Sequence, residues 1–228
     1  MAGEKVLIID DDPAIRRLLE KVMASNQLET RTAASGEEAL EAVRRESYAL
    51  LLLDITMGGM DGFEFLKRIR RQNISTPVII VSGKNEDYDT LYGLELGADD
   101  YITKPFNPVV LGAKVKAMIR RNNLLMTQTG SQLTAGPFTF DRSTMKLMKE
   151  GKEIFLSSKE TMLMLLFLEH VGQVFSKEQI YQHVWGDWGV DENTVMVHIS
   201  HLRNKIEDIP GDPRHIITMR GLGYKFLA

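Results

Sequence analysis

The chain has 228 residues and a formal net charge of −3, from 28 Lys and Arg against 31 Asp and Glu, and 43% of its residues are apolar. This composition is typical of a globular protein with one large or two ordinary domains, and the absence of Cys excludes disulfides, thiolate zinc sites and Cys nucleophiles. The N-terminus has no signal-peptide pattern, and no apolar run approaches the ~18 residues of a membrane span, so we expect a cytoplasmic protein without membrane contact.

Apolar runs alternate with amphipathic stretches in the first half of the chain. The runs at 6–9, 50–53 and 78–81 are apolar on both faces, which is typical of central parallel strands. Helical spacing predicts five helices that follow the strands, the fourth ending at Gly97 and the fifth starting at Pro108. This alternation predicts an α/β fold, a flavodoxin-like, doubly wound sheet of five parallel strands.

The pattern changes after residue 121. Residues 122–133 are polar and without periodicity, which predicts a linker. From 134 to 228, short strand-like segments precede three helical patterns, and a glycine-rich turn at 221–223 predicts a terminal hairpin. The sequence therefore predicts an α/β domain at 1–121, a linker, and an α+β domain at 134–228.

Acidic residues follow two strands that are expected to lie side by side. Asp10 and Asp11 end the first strand and Asp54 ends the third, and these strands are neighbours in the order 2-1-3-4-5. Carboxylates packed together repel each other, and a divalent cation relieves the repulsion. An all-oxygen ligand set suits Mg²⁺, with Mn²⁺ as a substitute.

Two further strand ends supply complementary groups. Ser82 ends the fourth strand and Lys104 follows the fifth, where Pro105 allows a cis peptide bond that aims the lysine inward. A carboxylate nucleophile beside a metal, a hydroxyl and an ammonium group suits phosphoryl transfer to Asp54. Any single Asp at a strand end could merely cap a helix, but the joint pattern favours a site.

The motifs IIDDD, LLLDITMGGMDG, VIIVSG and GADDYITKPF resemble the receiver domain of two-component response regulators. VMVHISHLRNKIE and ITMRGLGYKF resemble the winged helix-turn-helix effector of the OmpR/PhoB subfamily. The resemblance covers essentially the whole chain. It implies a DNA-binding transcription regulator rather than a metabolic enzyme: a sensor histidine kinase phosphorylates Asp54, the receiver dimerises, and the winged helices bind tandem promoter half-sites. The only catalysis implied is the receiver's own phosphoryl transfer and dephosphorylation.

The resemblance also assigns roles within the receiver. Asp11, Asp54 and the carbonyl of Thr56 would bind Mg²⁺ directly, and Asp10 would bind it through water. Ser82 and Tyr101 would form a switch pair, in which Ser82 moves toward the phosphoryl oxygens and Tyr101 turns inward.

Two receiver positions depart from the family pattern. Gly58 replaces the usual Pro, which predicts a looser loop because glycine is free in φ. Ser82 replaces the commoner Thr and keeps the hydroxyl.

Receivers of this subfamily pair through the fourth helix, fifth strand and fifth helix. The charged positions of that surface are matched by Asp99, Asp100, Lys114 and Arg121. Thr90 stands where a basic residue is usual and Val110 where Glu is usual, so both partners of one ion pair are missing. Leu94 and Val110 would make this interface more apolar, and its dimerisation less dependent on salt.

The last helix carries the expected DNA contacts. With Val195, Ile199, Leu202 and Ile206 in the core, the opposite face carries Asn193, Val197, Ser200, His201 and Asn204. We expect Val197 to contact a thymine methyl group, Ser200 and His201 to contact base edges or phosphates, and His198 and Arg203 to contact phosphates from the flank. By resemblance, Thr194 would contact the DNA backbone and Arg220, on the hairpin wing, the minor groove.

Charge gives further indications about this domain. Residues 193–228 contain five basic and three acidic residues, a net charge of +2 in an acidic protein. Relatives often have Arg at positions 193, 200 and 201, so this chain is expected to bind weakly as a monomer and to rely on paired sites. The loop with Trp185 and Trp188 can meet RNA polymerase in the family, although Trp185 is better explained as a core residue.

Two alternatives stay open at this point. One is a phosphorylation-independent, atypical regulator that uses the same winged helix and has a vestigial acidic pocket. The other is a small haloacid- or phosphatase-like hydrolase, which shares the Asp, Ser, Lys and Mg²⁺ chemistry but leaves the C-terminal domain unexplained.

Overall fold

The computed structural model describes residues 4–83, 87–127, 132–186 and 192–228. Contacts between Cα atoms divide the chain into two compact units, one ending at Ile119 and the other beginning at Arg120. Within the described part of the chain, no helix is both long and apolar enough to cross a membrane.

The first unit is a parallel sheet covered by helices on both faces. Its elements are β1 (Lys5–Ile9), α1 (Pro13–Ser25), β2 (Glu29–Ala33), α2 (Gly36–Arg45), β3 (Leu50–Leu53), α3 (Gly62–Arg71), β4 (Val78–Ser82), α4 (Asp87–Glu95), β5 (Asp100–Thr103) and the greater part of α5 (Pro108–Thr127), which continues beyond the last residue of the unit. The strand order β2-β1-β3-β4-β5 confirms the predicted flavodoxin-like sheet.

The central strands of this sheet are buried on both faces because their sequences are continuously apolar. Leu7 and Ile9 of β1 pack with Leu51 and Leu53 of β3 on one face, while the alternate residues of each strand pack on the other. Ile9 pairs with Leu53, so β1 and β3 end at the same level. The residues that follow these strands therefore meet at one edge of the sheet.

A single arginine joins three segments at the opposite end of the sheet. Arg70, near the end of α3, donates hydrogen bonds to the carbonyls of Ile74, Thr76 and Gly97. Its guanidinium also lies 3.2 Å from the carboxylate of Asp99, which is completely buried. Gly97 has a φ of +96°, and α4 ends just before it, as the sequence predicted.

The second unit contains helices and two antiparallel sheets. Its elements are β6 (Gln132–Ala135), β7 (Phe138–Asp141), β8 (Lys146–Lys149), β9 (Lys152–Ile154), α6 (Ser158–Glu169), β10 (Val174–Phe175), α7 (Lys177–Val184), α8 (Glu192–Ile206), β11 (Ile216–Met219) and β12 (Gly223–Phe226). The sheets have the orders β6-β7-β8-β9 and β10-β12-β11. The second contains the predicted terminal hairpin, and the α+β prediction is confirmed.

Local sequence signals determine where two helices of this unit begin. Ser157 and Glu160 form a complete capping box before α6, and Ser176 and Gln179 form another before α7. The hairpin needs glycine at position 223, where φ is +124° and a Cβ atom would lie 2.0 Å from the carbonyl oxygen of Phe175.

The sequence prediction was wrong about part of the linker. Helix α5 continues to Thr127, and Gln132 already begins β6, so residues 122–127 are helical. The segment Asn122–Thr127 contains neither Gly nor Pro, so its sequence has no residue that breaks a helix. Loss of apolar periodicity was therefore not a sufficient sign of the helix end.

Candidate functional site

Three carboxylates meet at the carboxyl edge of the parallel sheet. Asp10 follows β1 and Asp54 follows β3, and the amide of Asp54 donates to the carbonyl of Ile9 at 2.8 Å, which continues the pairing of the two strands. Asp10 and Asp54 are buried, whereas Asp11 is exposed. One carboxylate oxygen from each of these Asp residues lies within 4.8 Å of the other two.

Lys104 lies among these carboxylates. Its Nζ is 2.8 Å from Oδ2 of Asp10 and 3.1 Å from Oδ2 of Asp54. The Lys104–Pro105 peptide bond is cis, as the sequence allowed. Burial raises the pKa of Asp10, and the hydrogen bond from Lys104 acts against this rise. Burial by itself would lower the pKa of Lys104, but the bond to Asp10 and the charges of Asp10 and Asp54 outweigh it, and the pKa is raised.

The donor set fits a hard divalent cation. Carboxylate oxygens are the ligands that Mg²⁺ and Mn²⁺ prefer, and the three Asp residues bring one each to a common position. The amide of Thr56 donates to Oδ1 of Asp54 at 3.3 Å, which places the exposed Thr56 beside the cluster. Ligation by the Thr56 carbonyl stays a prediction.

Ser82 and Tyr101 lie on adjacent strands beside this cluster. Ser82, the last residue of β4, is completely buried, and its side chain is hydrogen-bonded to Tyr101 of β5. Burial raises the pKa of Tyr101, and the bond with Ser82 acts against the rise. The sequence-predicted switch residues are thus in direct contact, although their movement stays a prediction.

Two carboxylates hold the loop that follows Asp54. Gly58 donates its amide N–H to Oδ2 of Asp11 at 3.2 Å, and Met60 donates its amide to Oε1 of Glu37 at 3.0 Å. At Gly62, the first residue of α3, a Cβ would lie 2.2 Å from the carbonyl oxygen of Asp54. Sequence reasoning missed Glu37 and Gly62, because neither contact follows from the local pattern.

Two of the predicted interface residues are buried. Asp99 is completely buried and accepts from Arg70 and from the amide of Val78, so its charge is used inside the first unit. Leu94 is 1% exposed and packs inward. The prediction that Asp99 and Leu94 lie on an interaction surface was wrong. The residue type alone does not reveal whether neighbouring elements cover a side chain.

The other interface positions are compatible with a surface role. Val110 is 39% exposed, and its neighbour Val109 is 79% exposed. Asp100 and Lys114 form an ion pair with each other at 2.9 Å within the first unit. The side chain of Arg121 lies outside the described residues.

The predicted core face of helix α8 is confirmed, because Val195, Ile199, Leu202 and Ile206 are all buried. On the other side Ser200 is exposed, and Val197 and His201 are half-buried. Met196 is 46% exposed on the same helix. Sequence reasoning did not select it, because a methionine at the edge of the apolar stripe is usually a core residue.

Two predicted DNA contacts on α8 are buried instead. His198 is completely buried, with its ring 5.1 Å from that of Trp185, and Thr194 is only 5% exposed. The prediction that the His198 side chain contacts phosphate was wrong, because helix packing covers the flank of α8 that it occupies. Trp185 itself is a core residue stacked on Tyr181, as expected, while Trp188 lies outside the described residues.

Arg203 and Arg220 differ in what they contact. Arg203 donates two hydrogen bonds to the carbonyl of Ile216, at 3.0 and 2.6 Å, and one to Oγ1 of Thr218 at 2.8 Å. It therefore connects α8 to the hairpin, which the phosphate prediction did not foresee. Arg220 is exposed in the turn between β11 and β12, where the predicted wing contact requires it.

Comparison with known proteins identifies both units. Residues 6–116 match the family described as "response regulator receiver domain", and residues 151–226 match "transcriptional regulatory protein, C terminal". The chain is 42% identical to the transcriptional regulatory protein YvrH of Bacillus subtilis (strain 168), over 100% of this chain and 97% of that protein. It is 36% identical to the alkaline phosphatase synthesis transcriptional regulatory protein PhoP of the same organism, over 98% of this chain and 96% of the relative.

Solved structures give the same result. The response regulator DrrB of Thermotoga maritima, described as an OmpR/PhoB homologue, is 30% identical and has a TM-score of 0.52, with 99% of this chain and all of DrrB covered. A single-residue mutant of RitR has a TM-score of 0.82 at 23% identity, with 98% of this chain and 99% of that chain covered, which shows likeness of fold.

Proposed function

Because the chain belongs to the two-component response regulators of the OmpR/PhoB type, which join a receiver to a DNA-binding effector domain, we propose that phosphorylation of Asp54 controls its binding to promoter DNA. The observation that carries the proposal is the position of Lys104, whose Nζ lies within 3.1 Å of the carboxylates of both Asp10 and Asp54. This cation and the adjacent carboxylates form a preorganised site for a phosphoryl group.

The proposed reaction is transfer of a phosphoryl group from a sensor histidine kinase. One carboxylate oxygen of Asp54 attacks phosphorus, the new O–P bond forms as the N–P bond of a phosphohistidine breaks, and the released imidazole nitrogen takes up a proton. Lys104 and the hydroxyl of Ser82 would bind the phosphoryl oxygens. Asp10, Asp11, Asp54 and the Thr56 carbonyl would hold Mg²⁺, or Mn²⁺ in its place, which supplies positive charge opposite the phosphoryl oxygens.

Loss of the phosphoryl group would be the receiver's second reaction. A water oxygen attacks the phosphorus of the acyl phosphate, the bond to the Asp54 oxygen breaks, and inorganic phosphate leaves. We therefore assign the protein no enzymatic role beyond its own phosphorylation and dephosphorylation.

The new charge would act through the contact between Ser82 and Tyr101. A phosphoryl group adds about −2 charge and three strong acceptors, which favour a conformation with Ser82 turned toward them. Tyr101, on the adjacent strand, then repacks, and the population shifts toward a receiver that dimerises through α4, β5 and α5. The exposed Val110 belongs to this proposed surface, whereas Asp99 and Leu94 do not.

Two effector domains in one dimer would bind tandem half-sites. On α8, Val197, Ser200 and His201 would face base edges and phosphates, with Arg220 of the wing in the adjacent minor groove. Paired binding compensates for the scarcity of arginine on this helix face. The same scheme implies contact with RNA polymerase and a cytoplasmic location, where the kinase output and the promoter are found.

The phosphorylation step is tested with acetyl phosphate as donor. The full chain is incubated with acetyl phosphate and Mg²⁺, and phosphorylated protein is separated by phosphate-affinity electrophoresis. We expect one acid-stable, hydroxylamine-labile phosphoryl group, which is lost in Asp54→Ala and when the metal is chelated. Equal labelling of wild type and Asp54→Ala would contradict the proposal.

The DNA-binding step needs a separate experiment. Tandem sites are selected in vitro from random DNA, and their affinity is measured with and without beryllofluoride. We expect the activated wild type to bind more tightly and cooperatively, and Asp54→Ala to show no response. If both proteins bind equally under all conditions, the chain is a phosphorylation-independent regulator.

A further inference from the structure

The exposed face of helix α8 includes Met196, which the sequence pattern did not assign to it. Four exposed residues, spaced three or four apart, form one ridge along the helix: Asn193, Met196, Ser200 and Asn204. Val197, the apolar residue expected to face DNA, is half-buried beside this ridge, whereas Met196 is 46% exposed. Met196 is therefore the apolar residue that the open face of α8 presents most fully.

Packing on one side of α8 explains why the open face includes Met196. Thr194 is only 5% exposed, and His198 is completely buried, with its ring 5.1 Å from that of Trp185. Residues two positions apart lie on nearly opposite sides of an α-helix. Because the side with Thr194 and His198 is covered, the side with Met196 remains open.

The surroundings of Met196 are compatible with an anionic partner. In the described part of the second unit, Met196 lies outside the apolar core, to which Val195 and Ile199 of the same helix belong. From residue 193 to residue 206 the chain contains Arg203 and Lys205 but no Asp or Glu. An apolar side chain on a helix face without negative charge suits a nucleic acid groove better than an acidic protein surface.

The chemistry of the Met196 side chain selects one base. Its thioether sulfur is a weak acceptor and has no hydrogen to donate, so the side chain is poorly suited to bind phosphates or polar base edges. In the major groove, thymine alone presents an apolar group, its C5-methyl. Methionine is unbranched and has three rotatable bonds, which allow it to follow the position of such a group.

We propose that Met196 is a further specificity-determining residue of α8, which contacts the C5-methyl group of a thymine in the major groove. The inference rests on the proposed binding to promoter DNA, because it names a base that the same surface recognises. Burial of one methyl group changes affinity about 4-fold. Each half-site is therefore expected to contain a thymine whose recognition depends on position 196.

Deoxyuridine tests this contact directly, because it pairs like thymidine and lacks only the methyl group. Tandem sites are selected in vitro with the beryllofluoride-activated full chain and are then synthesised with each thymine replaced in turn. We expect one thymine per half-site at which the replacement weakens binding of wild type about 4-fold and leaves binding of Met196→Ala unchanged. If every replacement affects both proteins alike, the inference is overturned and the proposed function stands. Failure of wild type to bind any selected DNA overturns both.

Two variants serve as controls for this measurement. Val197→Ala is expected to keep the loss of affinity at the thymine assigned to Met196, because Val197 would contact a different base. Ile209 is 62% exposed and lies beyond the end of α8, so Ile209→Ala removes exposed apolar surface outside the proposed interface. It is expected to leave the whole deoxyuridine pattern unchanged. If either control abolishes the loss of affinity at that thymine, the assignment to Met196 is overturned.

A second measurement separates base recognition from a general effect on α8. When the selection is repeated with Met196→Ala, we expect the preference for thymine to disappear at one position per half-site and to persist elsewhere. The slope of log affinity against log salt is expected to stay unchanged, because no phosphate contact is removed. Met196→Gln, which keeps the length of the side chain and replaces its apolar end, is expected to behave like Met196→Ala. Unchanged preferences, or equal relaxation at all positions, would overturn the inference.

Discussion

At Lys104, one ammonium group is shared between the buried carboxylates of Asp10 and Asp54. Removing it leaves two like charges close together without a cation. We expect Lys104→Ala to lower the free energy of unfolding by about 1–3 kcal/mol, less than for a fully buried pair because the lysine side chain is 19% exposed. Urea denaturation with and without Mg²⁺ checks this, since the metal is expected to restore much of the loss in the variant. If Lys104→Ala loses as much free energy of unfolding with Mg²⁺ as without it, repulsion between the two carboxylates is not the cause.

Glu46, just after α2, makes the stability of the fold depend on pH. Hydrogen bonds from Lys5 and Tyr48, and from Arg31, lower its pKa from 4.5 to about 2. Because the folded pKa is lower than the unfolded one, its contribution to stability is present above about pH 4.5 and is lost as the pH falls toward 2. We expect wild type to lose more stability than Glu46→Gln between pH 5 and pH 2 in urea titrations. Parallel pH profiles would show that these bonds have no net effect on folding.

Residue types alone predicted the cluster of carboxylates and lysine but misplaced several single side chains. Asp10, Asp54, Ser82 and Lys104 were predictable because each ends or follows a strand, and strand ends converge by topology. Asp99 and His198 were misplaced because burial depends on what packs over a position. Asp99 is contacted by the guanidinium of Arg70, and His198 by the ring of Trp185, and each of these residues lies on a different element from the residue that it contacts.

At the scale of elements, Arg203 ties helix α8 to the hairpin that follows it. Removing it is expected to lower the free energy of unfolding, and so the fraction of protein able to bind DNA, without removing a phosphate contact from the folded molecules. Arg203→Ala should therefore bind a selected site less tightly, while the slope of log affinity against log salt stays unchanged. A lost phosphate contact would reduce that slope by about 0.9.

Arg220→Ala serves as the matched control for this measurement. Its side chain is exposed in the hairpin turn. If the Arg220 side chain lies in the minor groove beside phosphates, the Arg220→Ala variant is expected to have a smaller slope of log affinity against log salt. A reduced slope in Arg203→Ala would support the phosphate contact originally predicted from the sequence.

Element boundaries were predictable wherever a specific side chain marks them. The capping serines at 157 and 176 and the glycine at 97 mark their boundaries through defined backbone hydrogen bonds or a left-handed φ. The end of α5 has no such mark between residues 122 and 127, and the helix runs on. Short strands such as β10, with two residues, are too brief for an alternating pattern.

For the whole molecule, the proposed dimer depends on an apolar rather than an ionic contact at position 110. Val110 is 39% exposed, and Thr90 replaces the basic residue expected opposite a glutamate. We expect Val110→Glu to raise the dissociation constant of the beryllofluoride-activated dimer about 10-fold, because the new charge has no partner. Sedimentation equilibrium measures this constant.

The double variant Thr90→Lys/Val110→Glu provides the control. It is expected to recover dimerisation and to acquire a steeper dependence on salt than wild type. A Val110→Glu protein that dimerises like wild type would place the interface elsewhere.

The overall architecture followed from the sequence because two periodicities separate the chain into an α/β and an α+β part. The first unit ends at Ile119, close to the boundary predicted at residue 121. Contacts between residues distant in sequence were beyond sequence reasoning. The bonds from Gly58 to Asp11 and from Met60 to Glu37 depend on how the loops after β1 and β3 and the start of α2 approach one another.

The arginine that joins α3 to the strands β4 and β5 also determines which substitutions this region tolerates. Three of its partners, at positions 74, 76 and 97, are main-chain oxygens that every amino acid carries. For this interaction, the side chains at 74 and 76 make no direct contribution, although Ile74 also packs against the core. We therefore expect its loss only on substitution of Arg70 or Asp99, because both supply side-chain atoms to it.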